Sequence, residues 1–135
     1  MFHKALSVAT SGLGLYEITE AINGAIKSSG ISDGMCNIFI THTSASLCIQ
    51  ENADYTAKRD LEEFMGQLVR YQSWFSHTAE GRDDMTAHIK AALTATSLNI
   101  PVINGRLGVG IWQGVYVWEH RERAHQRQVT VSVWS

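Results

Sequence analysis

The segment from His77 to Leu93 concentrates the side chains best suited to chemistry. It contains two histidines, one glutamate and two adjacent aspartates within twelve residues. His88 follows Asp84 by four residues, so the two side chains lie on one face of a predicted helix. A carboxylate beside an imidazole fixes its tautomer and raises its basicity, which suits a metal ligand or a general base. A capped helix with a surface histidine would show the same spacing, but the nearby His77 and Glu80 favour a functional site.

A second polar group lies midway along the β-rich run of residues 35–49. It consists of His42, Thr43 and Ser44. If this run is extended throughout, one of its faces changes from apolar to polar, as expected where a strand leaves the core and opens into a cavity. A histidine at this position could also be a satisfied core residue, so the sequence leaves both interpretations open.

Hydrophobic periodicity predicts three helices and about seven strands that must position these groups. One helix covers residues 18–26, one follows an N-cap at Asp54, and one begins at Asp83 or Asp84, whose carboxylate can accept from free N–H groups of the first turn. Strands are predicted over residues 2–8, 35–49, 100–103, 107–112, 115–120 and 128–134, with turns at Asn104-Gly105 and Gln113-Gly114. Because no regular β-α-β repeat connects them, the sequence predicts a single α+β domain over residues 1–135.

Composition and charge exclude several classes of protein. The chain of 135 residues can bury a core without disulfide or metal staples. Its formal net charge is −2 and it has no basic run outside residues 120–127, which argues against nucleic-acid binding. No signal peptide is recognisable and no stretch could span a bilayer, so no membrane association is expected. Cys36 and Cys48 are too few for a disulfide framework, and we expect a cytoplasmic protein.

Short motifs spread over residues 40–121 together resemble the YjbQ-type family of small proteins. In chain order they are His42-Thr-Ser-Ala-Ser-Leu47, Glu51-Asn52, Arg59-Asp60, Glu80-Gly81, Asp83-Asp84-Met85, Ala87-His88-Ile89-Lys90, Gly105-Arg106, Trp112-Gln113-Gly114 and Glu119-His120-Arg121. The resemblance implies a mixed α+β fold with a mainly antiparallel sheet or sandwich, a homotrimer, and a metal or anion site. It also implies the activity attached to some members, a weak or secondary thiamine-phosphate synthase that joins a pyrimidine pyrophosphate to a thiazole phosphate.

The resemblance also supplies candidate site residues. His42, His77 and His88 correspond to the family histidines, and we expect them to hold a divalent metal of the zinc type. We expect four residues to be catalytic and four to bind a small phosphorylated substrate: Glu80, Asp84, Arg106 and Glu119 in the first group, and Ser44, Asn104, Gln113 and Arg121 in the second. Asp83 matches a further polar position. The sequence departs from the usual family residues at Arg82, which adds a charge beside the site, and at Thr86.

These residue types suggest a division of roles. Three histidines from a strand, a loop and a helix could converge on a tetrahedral ion and leave one position for water or substrate. Glu80 or Glu119 would then carry the proton, while Arg106 or Arg121 would bind phosphate oxygens with a forked guanidinium. The spacing of the histidines does not by itself establish that they converge.

Three functions remain open at this point. A histidine-rich metal site favours zinc-type ions over magnesium, and no glycine-rich phosphate loop is present. On chemical grounds the residues therefore support a metal-assisted hydrolase or lyase as well as they support the synthase. The family resemblance favours the synthase slightly. The third possibility is a non-enzymatic trimer that binds a metal or small molecule. Four large aromatic residues would suit a subunit interface, although core packing would explain each of them equally well: Trp112, Tyr116, Trp118 and Trp134.

Overall fold

The computed structural model describes all residues, 1–135, as two antiparallel β-sheets and three α-helices. The strands are β1 (Phe2–Thr10), β2 (Gly14–Glu17), β3 (Gly34–Ile40), β4 (Ala45–Glu51), β5 (Ser97–Ile103), β6 (Arg106–Leu107), β7 (Gln113–Glu119) and β8 (His125–Trp134). The helices are α1 (Thr19–Ser29), α2 (Tyr55–Leu68) and α3 (Arg82–Leu93). Each of these helices is too short or too polar to cross a bilayer.

One hydrophobic core joins the two sheets. The larger sheet has the strand order β1-β8-β3-β5-β6, and the smaller has the order β2-β7-β4. Buried aliphatic side chains from β3, β5 and β8 meet those from β4, β7 and α1 in a cluster of 17 residues. On β8 the inward side chains alternate with a period of two, and Arg127 occupies the same inward row as Val129, Val131 and Val133. This apolar strand thus carries a charged residue into the protein interior.

The smaller sheet is covered on its second face by α2. The β7 side chains Val115 and Val117 join the main core, whereas Tyr116 and Trp118 pack with Met65 in a second cluster. Strand β7 is therefore buried on both faces, and so is Glu119 at its end. Tyr116 and Trp118 are thus core residues of this chain, whereas Trp112 is exposed. A role of these aromatic residues at a subunit interface stays a prediction.

The α+β prediction is confirmed, but the strand boundaries differ. The run of residues 35–49 forms two strands, because residues 41–44 leave the β-ladder between β3 and β4. The predicted strand over residues 107–112 is wrong beyond Leu107, where the chain becomes irregular before β7 begins directly at Gln113. Strand β2 was not predicted. The Asn104-Gly105 turn is confirmed, since both residues have the positive φ that such a turn requires.

Candidate functional site

The start of α3 brings two carboxylates to one place. The helix begins at Arg82, after Gly81 with a φ of 105°, so neither Asp83 nor Asp84 is the N-cap residue as predicted. Both lie instead in the first turn, where the partial positive charge of the helix N-terminus favours anions. From there both carboxylates reach residues outside the helix.

His77, Asp84 and His88 form a compact cluster. The Nε2 atom of His77 lies 2.7 Å from Oδ2 of Asp84, and Nε2 of His88 lies 3.2 Å from the same oxygen. One ligand-type atom from each residue falls within 4.8 Å of the others. Asp84 is buried, His88 is half-buried and the His77 side chain is 47% exposed. The cluster therefore has a buried carboxylate at its base and an accessible imidazole on its outer side.

The hydrogen bond at Nδ1 of His88 determines the state of Nε2, the other ring nitrogen. Nδ1 lies 2.9 Å from the carbonyl oxygen of Thr43, which can only accept a hydrogen bond, so Nδ1 carries a proton. In a neutral imidazole Nε2 then carries a lone pair, and this lone pair faces Oδ2 of Asp84, which is also an acceptor. Either a second proton or a cation must lie between these two acceptors. A metal-ligating histidine commonly donates its other N–H to a backbone carbonyl in this manner.

Arg121 holds the two aspartates in position. It donates from Nη1 to Oδ1 of Asp84 at 2.7 Å, from Nε to Oδ2 of Asp83 at 3.1 Å, and from Nη2 to the carbonyl oxygen of Glu80 at 2.9 Å. The guanidinium is nearly enclosed, and each of its nitrogen atoms has a protein partner. Arg121 thus orients both carboxylates, and Oδ2 of Asp84 is the oxygen left for the histidines.

The charges around Asp84 favour its ionised form. Burial acts to raise the pKa of Asp84, but the hydrogen bond from His77 and the charges of His88 and Arg121 outweigh burial and lower that pKa. The pKa of Asp83 is also lowered: burial opposes this, while hydrogen bonds from the Glu122 backbone and from Arg121 prevail. Asp84 is therefore a carboxylate near neutral pH, as a metal ligand must be.

Glu119 belongs to a different and fully enclosed network. Its Oε1 accepts from Thr10 Oγ1 at 2.6 Å and from Arg127 Nε at 2.7 Å, while Oε2 accepts from Arg127 Nη2 and from the backbone N–H groups of His120 and Arg121. Burial raises the pKa of Glu119, but the bonds from Arg127 and Thr10 dominate and lower it. With every acceptor position engaged, this glutamate has no free atom for a substrate in the folded chain.

His42 and Ser44 lie on the Arg127 side of the loop between β3 and β4. The Nε2 atom of His42 accepts from the backbone N–H of Gln128 at 2.8 Å, and Ser44 Oγ accepts from Arg127 Nη2 at 3.0 Å. Burial, and then the charge of Arg127, lower the pKa of His42. The structure does not bring His42 into the His77–Asp84–His88 group. The same loop nevertheless supplies the Thr43 carbonyl that orients His88.

Three other candidate residues lie away from the cluster. Asn104 lies in the turn between β5 and β6, after the last residue of β5. The first residue of β5, at the other end of the strand, pairs with Phe39. Arg106 is exposed and pairs with Glu20 at 2.9 Å. Gln113 starts β7, at the end opposite Glu119, and accepts from the backbone of Gly110. Their predicted roles in catalysis or substrate binding stay predictions.

Arg127 contacts several of the candidate residues and was missed by the sequence analysis. It connects Glu119, Ser44 and the ring of His42 in one buried network. The available signal was an arginine in phase with the apolar residues of an alternating strand, which is rare unless the charge has a buried partner. The Thr43 carbonyl was also missed, because no sequence pattern reveals a backbone contact across 45 positions.

The chain is similar to proteins of one family throughout its length. Residues 4–135 match the family model described as UPF0047 protein YjbQ-like. The UPF0047 protein sll1880 of Synechocystis sp. is 51% identical over 131 residues, covering 96% of this chain and 89% of that protein. The UPF0047 protein YjbQ of Escherichia coli O157:H7 is 34% identical over 133 residues, covering 98% and 96%. A crystal structure of a YjbQ/UPF0047 family protein from Clostridium acetobutylicum has a TM-score of 0.89 and 35% identity, covering 97% and 99%. The chain therefore belongs to the UPF0047 family of YjbQ-like proteins.

Proposed function

We propose that His77, Asp84 and His88 bind a divalent metal of the zinc type and that the protein is a metal-dependent enzyme for a small phosphorylated or ester substrate. The observation that carries the proposal is the His88 ring, whose Nδ1 is fixed on the Thr43 carbonyl while Nε2 faces Oδ2 of Asp84. A cation between these atoms would satisfy both lone pairs. Two imidazoles and one carboxylate are an established ligand set for catalytic zinc.

The chemistry of the donors supports a zinc-type ion over magnesium. Imidazole nitrogen suits zinc and its neighbours, whereas magnesium prefers oxygen ligands. Three protein ligands leave a fourth position open, and a metal in such a site polarises a substrate oxygen or lowers the pKa of bound water. The exposed side of His77 leaves room for that position.

Residues around the cluster could complete such a site. Arg121 holds Asp84 so that Oδ2 stays directed at the histidines. The Glu80 side chain is exposed and makes no hydrogen bond within the subunit, so it is our candidate for the proton carrier. None of the five main cavities is lined by a cluster residue. The open outer side is where a substrate, or a neighbouring subunit of the proposed homotrimer, would complete the site.

A second candidate function is thiamine-phosphate synthase, for which charge neutralisation of a departing pyrophosphate is required. The observation favouring it is Arg82, at the first position of α3. Its guanidinium stacks on the Tyr71 ring at 3.9 Å and has no carboxylate partner. A guanidinium without a carboxylate partner could bind phosphate oxygens. Arg106 supports this function less well, because it pairs with Glu20 away from the cluster.

Elemental analysis of purified protein tests the metal site. About one divalent ion per chain is expected, lost in His77→Ala and His88→Ala and retained in His42→Ala, because His42 lies in a separate network. A wild-type protein that folds but takes up no zinc would refute the metal proposal. Loss of the ion in His42→Ala would instead restore His42 as a ligand and require a rearrangement of its loop.

Activity assays separate the functions. A hydrolase should cleave generic esters or phosphoesters, lose activity to chelator and recover it with zinc. A synthase should release pyrophosphate only when both the pyrimidine pyrophosphate and the thiazole phosphate are present, and Arg82→Gln should weaken it more than Arg106→Ala. Ligand-dependent thermal stabilisation without turnover in either assay would identify a binding protein instead.

A further inference from the structure

Two adjoining cavities lie on the side of α3 turned away from the histidine cluster. Their volumes are about 330 and 370 Å³, within the usual range for small-molecule sites. They share four lining residues, Leu13, Gly66, Lys90 and His120, and so form one continuous space between α2, α3 and the end of β7. We call this space the Lys90 cleft.

Lys90 is the feature of this cleft that lacks an explanation within the fold. Only 7% of the residue is exposed, yet its ammonium group makes neither a hydrogen bond nor an ion pair. Every fully enclosed polar side-chain atom of the protein has a partner. The Lys90 amine, which has none, must therefore reach into the cavities that its side chain lines.

The cleft is separate from the metal candidate. Lys90 follows His88 by two positions, which places the side chains about 200° apart around the helix axis. The cavity on that face is lined by Asp83, Thr86 and Lys90, whereas His88 and Asp84 face the other way. Asp83, between the two faces, is occupied by Arg121 and by the backbone N–H of Glu122. It is thus unavailable as a full counter-ion for Lys90.

Further cations surround the cleft without carboxylate partners. Arg59 lines one cavity, and Arg70 and Arg82 line the other. None of these three exposed arginines lies in an ion pair. Of the acids in the walls, Glu119 is ion-paired with Arg127 and Asp83 with Arg121. Glu62, Glu63 and Glu122 have no cationic partner. With Lys90 and the three arginines there are four unpaired cations for these three carboxylates, so positive charge is in excess by one around Lys90.

We propose that the Lys90 cleft binds a small organic anion, with a phosphate or carboxylate group on the Lys90 ammonium and the arginines at its mouth. A buried ammonium requires an acceptor, and a charged oxygen is the acceptor that compensates it best. Trp118, Leu13 and Met65 supply an apolar wall for the organic part of the ligand. This anion site does not depend on the metal site on the other face of α3.

Calorimetric titration with inorganic phosphate and, separately, with acetate tests this proposal. Chelator-treated protein is used beside untreated protein, so that binding to a metal is recognised. Wild type should bind one anion per chain, and Lys90→Met should bind at least tenfold more weakly. Lys27→Met, which removes an exposed lysine of α1, is the matched control and should leave the affinity unchanged. The preference between phosphate and acetate identifies which oxyanion the cleft takes.

Two results would overturn the proposal: the absence of saturable binding of both anions to wild type, or equal affinity in wild type and Lys90→Met. If Lys90→Met fails to fold, the double variant Arg59→Gln, Arg70→Gln replaces it, since both side chains are exposed. Its affinity should fall several-fold, and an unchanged affinity would reject the cleft as the binding site. His88→Ala should lose metal but keep anion binding, which separates failure of this proposal from failure of the metal site.

Discussion

Oδ2 of Asp84 lies 2.7 Å from Nε2 of His77, while Oδ1 of the same carboxylate accepts from Arg121. This division of the two oxygens makes Asp84 the central residue of the proposed metal site. We expect Asp84→Asn to weaken zinc binding by more than tenfold, because it replaces an anionic ligand with a neutral amide. Competition with a chromophoric chelator measures the affinity.

Asp83→Asn is the matched control for this prediction. Asp83 is the adjacent residue and also accepts from Arg121, but it does not face the histidines. Its substitution should therefore disturb the same arginine without removing a ligand. Equal zinc affinity in the two variants would mean that the carboxylate acts only through Arg121 and does not contact the ion.

The Glu119–Arg127 pair leads to a prediction about stability. Both side chains are almost fully buried, and Glu119 is the acceptor that compensates the Arg127 guanidinium. Glu119→Gln should lower the free energy of unfolding by roughly 3–5 kcal/mol, because it leaves a buried charge without its counter-charge. Urea denaturation followed by fluorescence measures this change.

The same variant separates a structural from a catalytic role for Glu119. If the network only supports the fold, the activity per folded molecule should stay near the wild-type value at a temperature where the variant is folded. A well-folded Glu119→Gln protein with normal stability and no activity would instead support the catalytic role predicted from the sequence.

Sequence reasoning was most successful where the relevant contacts are local. The Asp84–His88 pairing depends only on helical spacing, and the structure confirms that the two side chains meet. His77 joins them from a position seven residues before Asp84, as the crowding of the segment suggested. Element types followed from periodicity for the same reason, because each helix or strand imposes its own repeat.

Contacts across the sheets were not accessible from the sequence. The sequence around His42 does not distinguish one long strand over residues 35–49 from two shorter ones. The long-range hydrogen bond from the Gln128 backbone to His42 shows where the chain leaves the β-ladder. Glu119 at the end of an apolar row resembles a pocket residue until Arg127, eight positions later, is placed opposite it. A pattern read along the chain indicates which face a residue occupies, but it does not identify the partner on that face.

His120 predicts how stability depends on pH. Burial, and then the charge of Lys90, lower the pKa of His120 to about 3, so the folded protein keeps this ring neutral. The unfolded chain takes up a proton near pH 6.5, and stability should fall by on the order of 1 kcal/mol per pH unit between pH 6 and 4. The half-buried His42, whose pKa is also lowered, adds to the decline with the same sign.

Denaturation series at pH 7, 5.5 and 4.5 test this prediction. His120→Gln removes the titrating ring but can keep a hydrogen bond to Ser46, which lies 2.9 Å from Nε2 in the wild type. The variant should lose less stability than wild type over this range, with His42 responsible for part of the remaining slope. Identical slopes in the two proteins would exclude a buried neutral His120.

Lys90 predicts a substitution that increases stability. Burial lowers the pKa of this lysine, and its ammonium makes no hydrogen bond within the chain at the wall of the cleft. Lys90→Met keeps a flexible unbranched stem for packing but removes the charge, so we expect the free energy of unfolding to rise by roughly 1 kcal/mol. Lys27→Met, on an exposed site, should change it by less than about 0.5 kcal/mol.

The measurement is urea denaturation at pH 7 without added anions, because a bound anion would stabilise wild type selectively. A clear loss of stability in Lys90→Met would show that the ammonium already has a strong partner within the folded chain, for which the Glu122 carboxylate in the same cavity wall is the candidate.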